Sequence, residues 1–460
     1  MPDYVIVGNS AGGIGAAEGI REVDPKGSIA IVSDEPTVAY SRPGIAEIVA
    51  GSKTVEKIAY RGHEFYRDLA VATYFGRTVS RLDLERREVT LDDASTLPFG
   101  KLVLATGGSP IRPPMEGASK SGVLSFTTQA DALALLDRME KVGRRVVVIG
   151  AGLIGAACSD ALARIGVRPV VVELRERPLN LLLDAPGSEL VQEAMGKAGV
   201  DLICNNSVKE VLGRPEDPES VGGVVLADGR RIECDVVVVA VGVRPRLGLA
   251  ADAGLKVNRG IVVDDRMATS DPDVFACGDV AEAYDCVLGS NRVVPIWPGA
   301  YRGGRVAGMN MAGQDARFDD SSVMNSLKYF GMSLVSAGEI NVEGPDGKVI
   351  DGYQVTRKLD RRRGAYRKIV VRDGKLAGFV FAGGIERSGV VNWLLRERLD
   401  VSSFSDRIVE ESFDMIDLPA DVRRTHYLSA TSGGAPAPIS FGAPVAPGAP
   451  RKNGGIGNGH

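Results

Sequence analysis

The chain has 460 residues, with 55 Lys and Arg against 59 Asp and Glu and a net charge of −4, so the charge balance calls for neither nucleic acid nor an anionic membrane as partner. No apolar run approaches the length of a transmembrane helix, and Met1-Pro-Asp-Tyr runs straight into a strand without the regions of a signal peptide, so a cytoplasmic location is expected. Five scattered cysteines (Cys158, Cys204, Cys234, Cys277, Cys286) lack zinc or iron–sulfur spacing, and three histidines, the last at His460, give little support for a histidine base or a metal.

From the N-terminus, Tyr4-Val-Ile-Val-Gly8 reads as an apolar strand entering the glycine turn Asn9-Ser10-Ala11-Gly12-Gly13, then a helix. Gly8, Ser10 and Gly13 form a loose G-x-G-x-x-G with serine at the middle glycine. Alone, this is also the turn of an ordinary strand–helix–strand core. The next strand, Ser28 to Ser33, ends at Asp34-Glu35; either acid suits a ribose, and Asp34 is preferred. Further on, Leu102-Val-Leu is an apolar strand ending in Ala105, Thr106 and Gly107.

The second glycine turn is complete. Val146-Val-Val-Ile leads into Gly150, Gly152 and Gly155, with Leu153 and Ile154 opening a helix. The first glycine permits the tight turn, the second lets backbone approach a pyrophosphate, and the third allows helix to pack on strand. The strand that follows ends at Glu173, where a carboxylate bonds ribose hydroxyls and repels a 2′-phosphate. NAD is therefore expected over NADP, although Arg175 and Arg177 form a basic pair suited to the phosphate. Val236-Val-Val-Val-Ala-Val-Gly242 is another such strand, and Thr269 to Asp279 places Asp279 directly after Gly278 at a strand end. A short acceptor there can bond a hydroxyl of a ribitol chain, with a helix N-terminus beside it. Trp297 opens the next helix.

Beyond residue 320 the pattern becomes period-two strands, as in Tyr366 to Phe381, with a hairpin at Asp373-Gly374 and a helix over Gly389 to Leu399. This predicts a third, α+β domain. Residues 357–368 are a basic cluster with two readings, a solvated hairpin turn or a docking patch for an acidic protein. From Thr431, Gly, Pro, Ala and Ser dominate, which predicts a flexible tail.

In this order, the motifs resemble those of the pyridine nucleotide–disulfide oxidoreductase superfamily, over about residues 3–410. The resemblance implies an α/β fold with two Rossmann-like dinucleotide-binding domains, the NAD domain inserted in the FAD domain, plus a C-terminal α+β interface domain. The expected boundaries are 1–115 with 245–320 for FAD, 116–244 for NAD, 321–415 for the interface domain and 416–460 for the tail. Within the superfamily, Ala39 to Ala46 resembles NADH:rubredoxin and assimilatory nitrite reductases. There Arg42 and Pro43 match positions against the isoalloxazine and adenine-side phosphates, and Trp297 matches a tryptophan under the flavin pyrimidine ring.

The departures carry as much as the matches. Pro43 stands where related NADH oxidases and coenzyme A disulfide reductases carry a redox cysteine, and proline can neither attack a disulfide nor form a sulfenic acid. A lysine–glutamate pair of another related group is replaced by Glu47 and Ala157. FAD itself is then the expected redox centre, with the nicotinamide of NAD(H) stacked on it and electrons passed singly to or from an iron–sulfur partner. Three readings remain open. One is a stand-alone reductase of a rubredoxin- or ferredoxin-like carrier. Another is the NAD-coupling flavoprotein subunit of a complex such as a 2-oxoacid (pyruvate- or phenylglyoxylate-type) oxidoreductase. The third is a flavin-bound interaction protein resembling apoptosis-inducing factor. Homodimer and hetero-oligomer are both compatible with them.

Overall fold

Short Val, Ile and Leu runs without polar alternation are stable only as strands covered on both faces. Tyr4–Val7 and Ile29–Ser33 are buried along their whole length, and they form the centre of a five-stranded sheet. Its order is Val274–Ala276, Lys101–Leu104, Tyr4–Val7, Ile29–Ser33, Val71–Phe75, and every pairing is parallel. A second parallel sheet repeats the plan in the order Asp201–Ile203, Val170–Val172, Val146–Ile149, Val236–Val239, Val123–Ser125. The structure, a computed structural model, describes residues 2–285, 289–318, 324–344 and 346–424. Cys286, His460 and the tail expected from Thr431 lie outside them.

The second sheet is an insertion in the first. The chain leaves the first sheet through Gly108–Pro110 and returns through Val243–Pro245, and these two crossings pair antiparallel, Val243 opposite Pro110 and Pro245 opposite Gly108. Only after the return does strand Val274–Ala276 join the first sheet beside Lys101–Leu104. Among the described residues no helix is long and apolar enough to cross a membrane.

An antiparallel sheet follows, in the order Met324–Tyr329, Met332–Gly338, Lys375–Ala382, Ala365–Arg372, Tyr353–Asp360. Helix Ser388–Arg396 packs on it through Val391, Leu394 and Leu395. The Asp373-Gly374 hairpin forms as the sequence predicts, both residues having positive φ (52° and 72°), the conformation a tight two-residue hairpin requires. The period-two expectation fails on both strands of the hairpin: residues 366–371 and 376–382 are buried without alternation, because these strands are covered on both faces. Compact packing divides the chain at Glu411 and Ser412.

In the basic stretch 357–368 most cations face acids of this chain. Arg361 faces Glu189 and Glu193 at 2.7 and 3.5 Å, Arg363 and Lys358 take Glu411 and Glu410, and Arg357 takes Glu343. Lys368 is fully buried, its Nζ 2.9 Å from Glu343 and 3.1 Å from Asp184. Tyr366 donates to the same Asp184 at 2.6 Å. Breaking such a buried pair by removing one partner costs about 3–5 kcal/mol. This cluster fastens the antiparallel sheet to Asp184, the residue that precedes helix Ala185–Lys197 of the inserted unit. Arg357, Lys358, Arg361, Arg363 and Lys368 are thus each paired with an acid of this chain, which favours the turn.

Candidate functional site

Both glycine turns open on one cleft of about 1580 Å³, larger than a site for one drug-sized ligand (roughly 300–1,000 Å³). Every site residue expected from the sequence lines it except Gly13 and Gly155. Those two lie behind the turns. A Cβ on Gly13 would stand 1.8 Å from the Gly8 carbonyl oxygen, and one on Gly155 1.9 Å from that of Gly150. Gly152, by contrast, has nothing within 4 Å of an added Cβ. The middle position therefore faces the open cleft, which is why Ser10 is tolerated at its counterpart. Ser10 and Gly152 each precede a helix without a side-chain cap, so first-turn N–H groups remain for an anion.

Glu173 comes off the end of strand Val170–Val172. Its Oε2 accepts the Ala151 N–H at 2.6 Å and its Oε1 the Arg175 N–H at 2.8 Å. A carboxylate has about four lone-pair sites, so it is held in place with acceptor capacity left over. Arg177 is engaged by Glu176.

At the matching end of the first sheet, the two acids differ. Glu35 has both oxygens engaged by protein side chains, accepting from Tyr40 Oη at 2.6 Å and from the Arg42 guanidinium. Asp34 gives only Oδ2, to Arg246 at 2.6 Å, and keeps Oδ1. The site is completed by polar atoms that lack protein partners. Thr37 Oγ1 and Trp297 Nε1 are buried in the cleft wall with no hydrogen bond. Burial pushes the Asp279 carboxyl up, against the pull of the Arg42 guanidinium. Such groups cost free energy unless a ligand satisfies them. The residues present therefore fit one dinucleotide at each turn. Thr37 was not legible as a site residue, nor were the ties of Tyr40 and Arg246 to the two acids, since no local motif marks them.

Trp297 stacks parallel to Tyr301, centroids 6.0 Å apart, and meets Tyr60 edge-on at 5.2 Å. Glu47 turns away to a bidentate pair with Arg164 at 2.9 and 3.0 Å, while Ala157 lines the cleft. Two of the described thiols, Cys277 in the cleft wall and Cys234, are ill-suited to redox work, because burial pushes them up to about 12. Pro43 lines the cleft and brings no thiol to it.

The sequence matches the pyridine nucleotide-disulphide oxidoreductase family over residues 2–304 and the rubredoxin NAD+ reductase C-terminal domain over residues 324–398. It is 31% identical over 403 residues to nitrite reductase [NAD(P)H] of Bacillus subtilis, covering 87% of this chain and 48% of that protein. The chain thus spans about half the length of that relative. It is 30% identical over 410 residues to the epsilon subunit of the NADH-dependent phenylglyoxylate dehydrogenase of Aromatoleum evansii, covering 88% and 94%. Among solved structures, a ferredoxin reductase from Rhodopseudomonas palustris superposes with a TM-score of 0.78 at 26% identity, covering 89% and 98%.

Proposed function

The chain belongs to the pyridine nucleotide-disulphide oxidoreductase family, and we propose that it is a FAD-dependent oxidoreductase that exchanges hydride with NAD(H) and electrons with an iron–sulfur partner. The observation that carries this reading is one cleft served by two glycine turns, with Pro43 at the place of a redox thiol. Bound there, FAD supplies a two-electron centre that can also release electrons singly.

The chain's own residues bind and orient. Residues 1–115 and 245–320 form the FAD-binding domain and 116–244 the NAD-binding domain, with 321–415 as the interface domain. In the first turn, Gly8 to Gly13 and the helix behind it take the FAD pyrophosphate. Asp34 uses its uncommitted Oδ1 for a ribose hydroxyl. Asp279 accepts from the ribitol chain, beside Gly278, and Ala105 to Gly107 with Gly242 close the cleft between the turns. In the second turn, Gly150 to Gly155 take the NAD pyrophosphate and Glu173 its adenosine ribose. Trp297 and Pro43 shape an apolar wall that excludes water from the redox face.

The partner is a rubredoxin- or ferredoxin-like carrier or an iron–sulfur subunit, and the site of action is the cytoplasm. The near end-to-end match to a dehydrogenase subunit favours a place in a larger complex as the second reading. Native purification separates the two. A flavoprotein free of iron that reduces an added rubredoxin or [2Fe–2S] ferredoxin with NADH supports the first; co-purifying iron–sulfur subunits support the second. Absence of NADH turnover with any iron–sulfur acceptor refutes both.

A further inference from the structure

We propose that Tyr40 and Arg246 are positioning residues, which use the adjacent acids Glu35 and Asp34 as a common anchor for the inserted unit. The proposal rests on the reading above that the two glycine turns serve two nucleotides. It concerns how they are held in register.

Asp34 and Glu35 follow directly on strand Ile29–Ser33 of the first sheet. Asp34 is tied to the paired crossings, and Glu35 to the start of helix Gln129–Lys141 inside the inserted unit. On the outgoing side, Tyr40 is 5% exposed. Its Oη donates to Glu35 at 2.6 Å and accepts the Gln129 N–H at 3.0 Å. Arg42 reinforces the tie, donating to Glu35 and to the Thr127 carbonyl at 2.9 Å. Thr127 and Gln129 are not loose ends. They flank a capping box in which Asp131 and Thr128 bind each other's backbone at the start of helix Gln129–Lys141. On the returning side, Arg246 donates through Nη1 to Asp34 at 2.6 Å and through Nε to Ser109 Oγ at 3.0 Å. Its own N–H bonds the Gly107 carbonyl at 3.0 Å. Ser109 and Arg246 lie on, and just after, the paired crossings Gly108–Pro110 and Val243–Pro245.

Two adjacent carboxylates just past one strand thus hold the inserted unit at two places, its paired crossings and the start of its helix Gln129–Lys141. A two-point attachment removes rotation about the paired crossings, which a single hinge would leave free. Exchange between two bound nucleotides is sensitive to placement on the scale of 1 Å, where a misfit can cost about a hundredfold. Both Glu35 oxygens are engaged in this duty, whereas Asp34 keeps Oδ1 without a protein partner.

The test uses the FAD-loaded protein with Tyr40→Phe, Arg246→Gln and the conservative Arg246→Lys. Flavin content reads the first site, amide exchange at residues 127–131 and 107–110 reads the anchor, and transient reduction by NADH reads register. The expected result is retained flavin with about tenfold faster exchange at 127–131 for Tyr40→Phe and at 107–110 for Arg246→Gln. The saturating rate of flavin bleaching should fall about tenfold with half-saturating NADH unchanged, and Arg246→Lys should recover part of it. Retained flavin with unchanged exchange and rate overturns the proposal. So does loss of flavin with unchanged exchange, which would make these flavin-site residues. A wild-type protein that takes up no flavin refutes the two-nucleotide reading instead, and the exchange measurements still decide the anchor.

Discussion

Glu173 reaches back to the glycine turn, taking the Ala151 N–H at 2.6 Å, so the acid proposed for the second nucleotide's ribose is fixed by the glycine turn itself. A fixed carboxylate cannot swing away from a 2′-phosphate. Its repulsion there corresponds to about 1–3 kcal/mol, or roughly tenfold to a hundredfold in kcat/KM.

NADH should therefore be preferred over NADPH by that factor. Glu173→Gln keeps an oxygen for the Ala151 N–H while removing the charge, and should erase most of the preference. An unchanged ratio of kcat/KM values in this variant would assign the selectivity to other residues.

Asp279 sits in the cleft with its carboxyl pushed up by burial. Asp279→Ala should weaken FAD binding by about tenfold to a hundredfold, the loss of one hydrogen bond to a charged group. Asp279→Asn, which keeps an acceptor, should lose less. Flavin-to-protein ratios after dialysis measure this, and full retention in Asp279→Ala would remove the residue from the site.

Alkaline pH should destabilise the fold. Burial pushes the Cys277 and Cys234 thiols up to about 12 from 9.0, so the unfolded chain loses those protons first. Their contribution is complete below pH 9 and falls as pH rises from there toward 12. The urea midpoint should be lower at about pH 10.5 than at about pH 8. Iodoacetamide should leave Cys277 unlabelled in the native protein at about pH 8. A midpoint that does not fall would contradict the burial-driven shifts.

Replacing Arg361, Arg362 and Arg363 with Gln should leave reduction of an added ferredoxin within about twofold at any ionic strength, because Arg361 and Arg363 already pair with Glu189, Glu193 and Glu411. These pairs are exposed, so the stability loss should be about 1 kcal/mol. A large, salt-dependent slowing of carrier reduction would restore the docking reading.

Much of the architecture was legible because it is local. Gly8, Gly150 and the apolar runs before them mark strand, turn and helix within a dozen residues, and Pro43 speaks through its missing thiol alone. The ion pairs were not legible. Arg246 finds Asp34 across the whole inserted unit, and Arg164 finds Glu47 across two sheets. Such partners are set by how the sheets pack, which no local pattern encodes. Lys368 misled for a related reason. In sequence it belongs to a basic run, whereas in the fold its strand is covered on both faces and its charge is met by Asp184 and Glu343.

The central claim, that one cleft working without a redox thiol brings FAD and NAD(H) together, is tested most directly by anaerobic titration of the FAD-loaded protein with NADH, followed by flavin absorbance. Stoichiometric bleaching with no long-wavelength thiolate–flavin band, unchanged when Cys158, Cys204, Cys234, Cys277 and Cys286 are replaced by Ser, is the predicted result. A flavin that stays oxidised under excess NADH, or bleaching that disappears with the cysteines, would contradict the account.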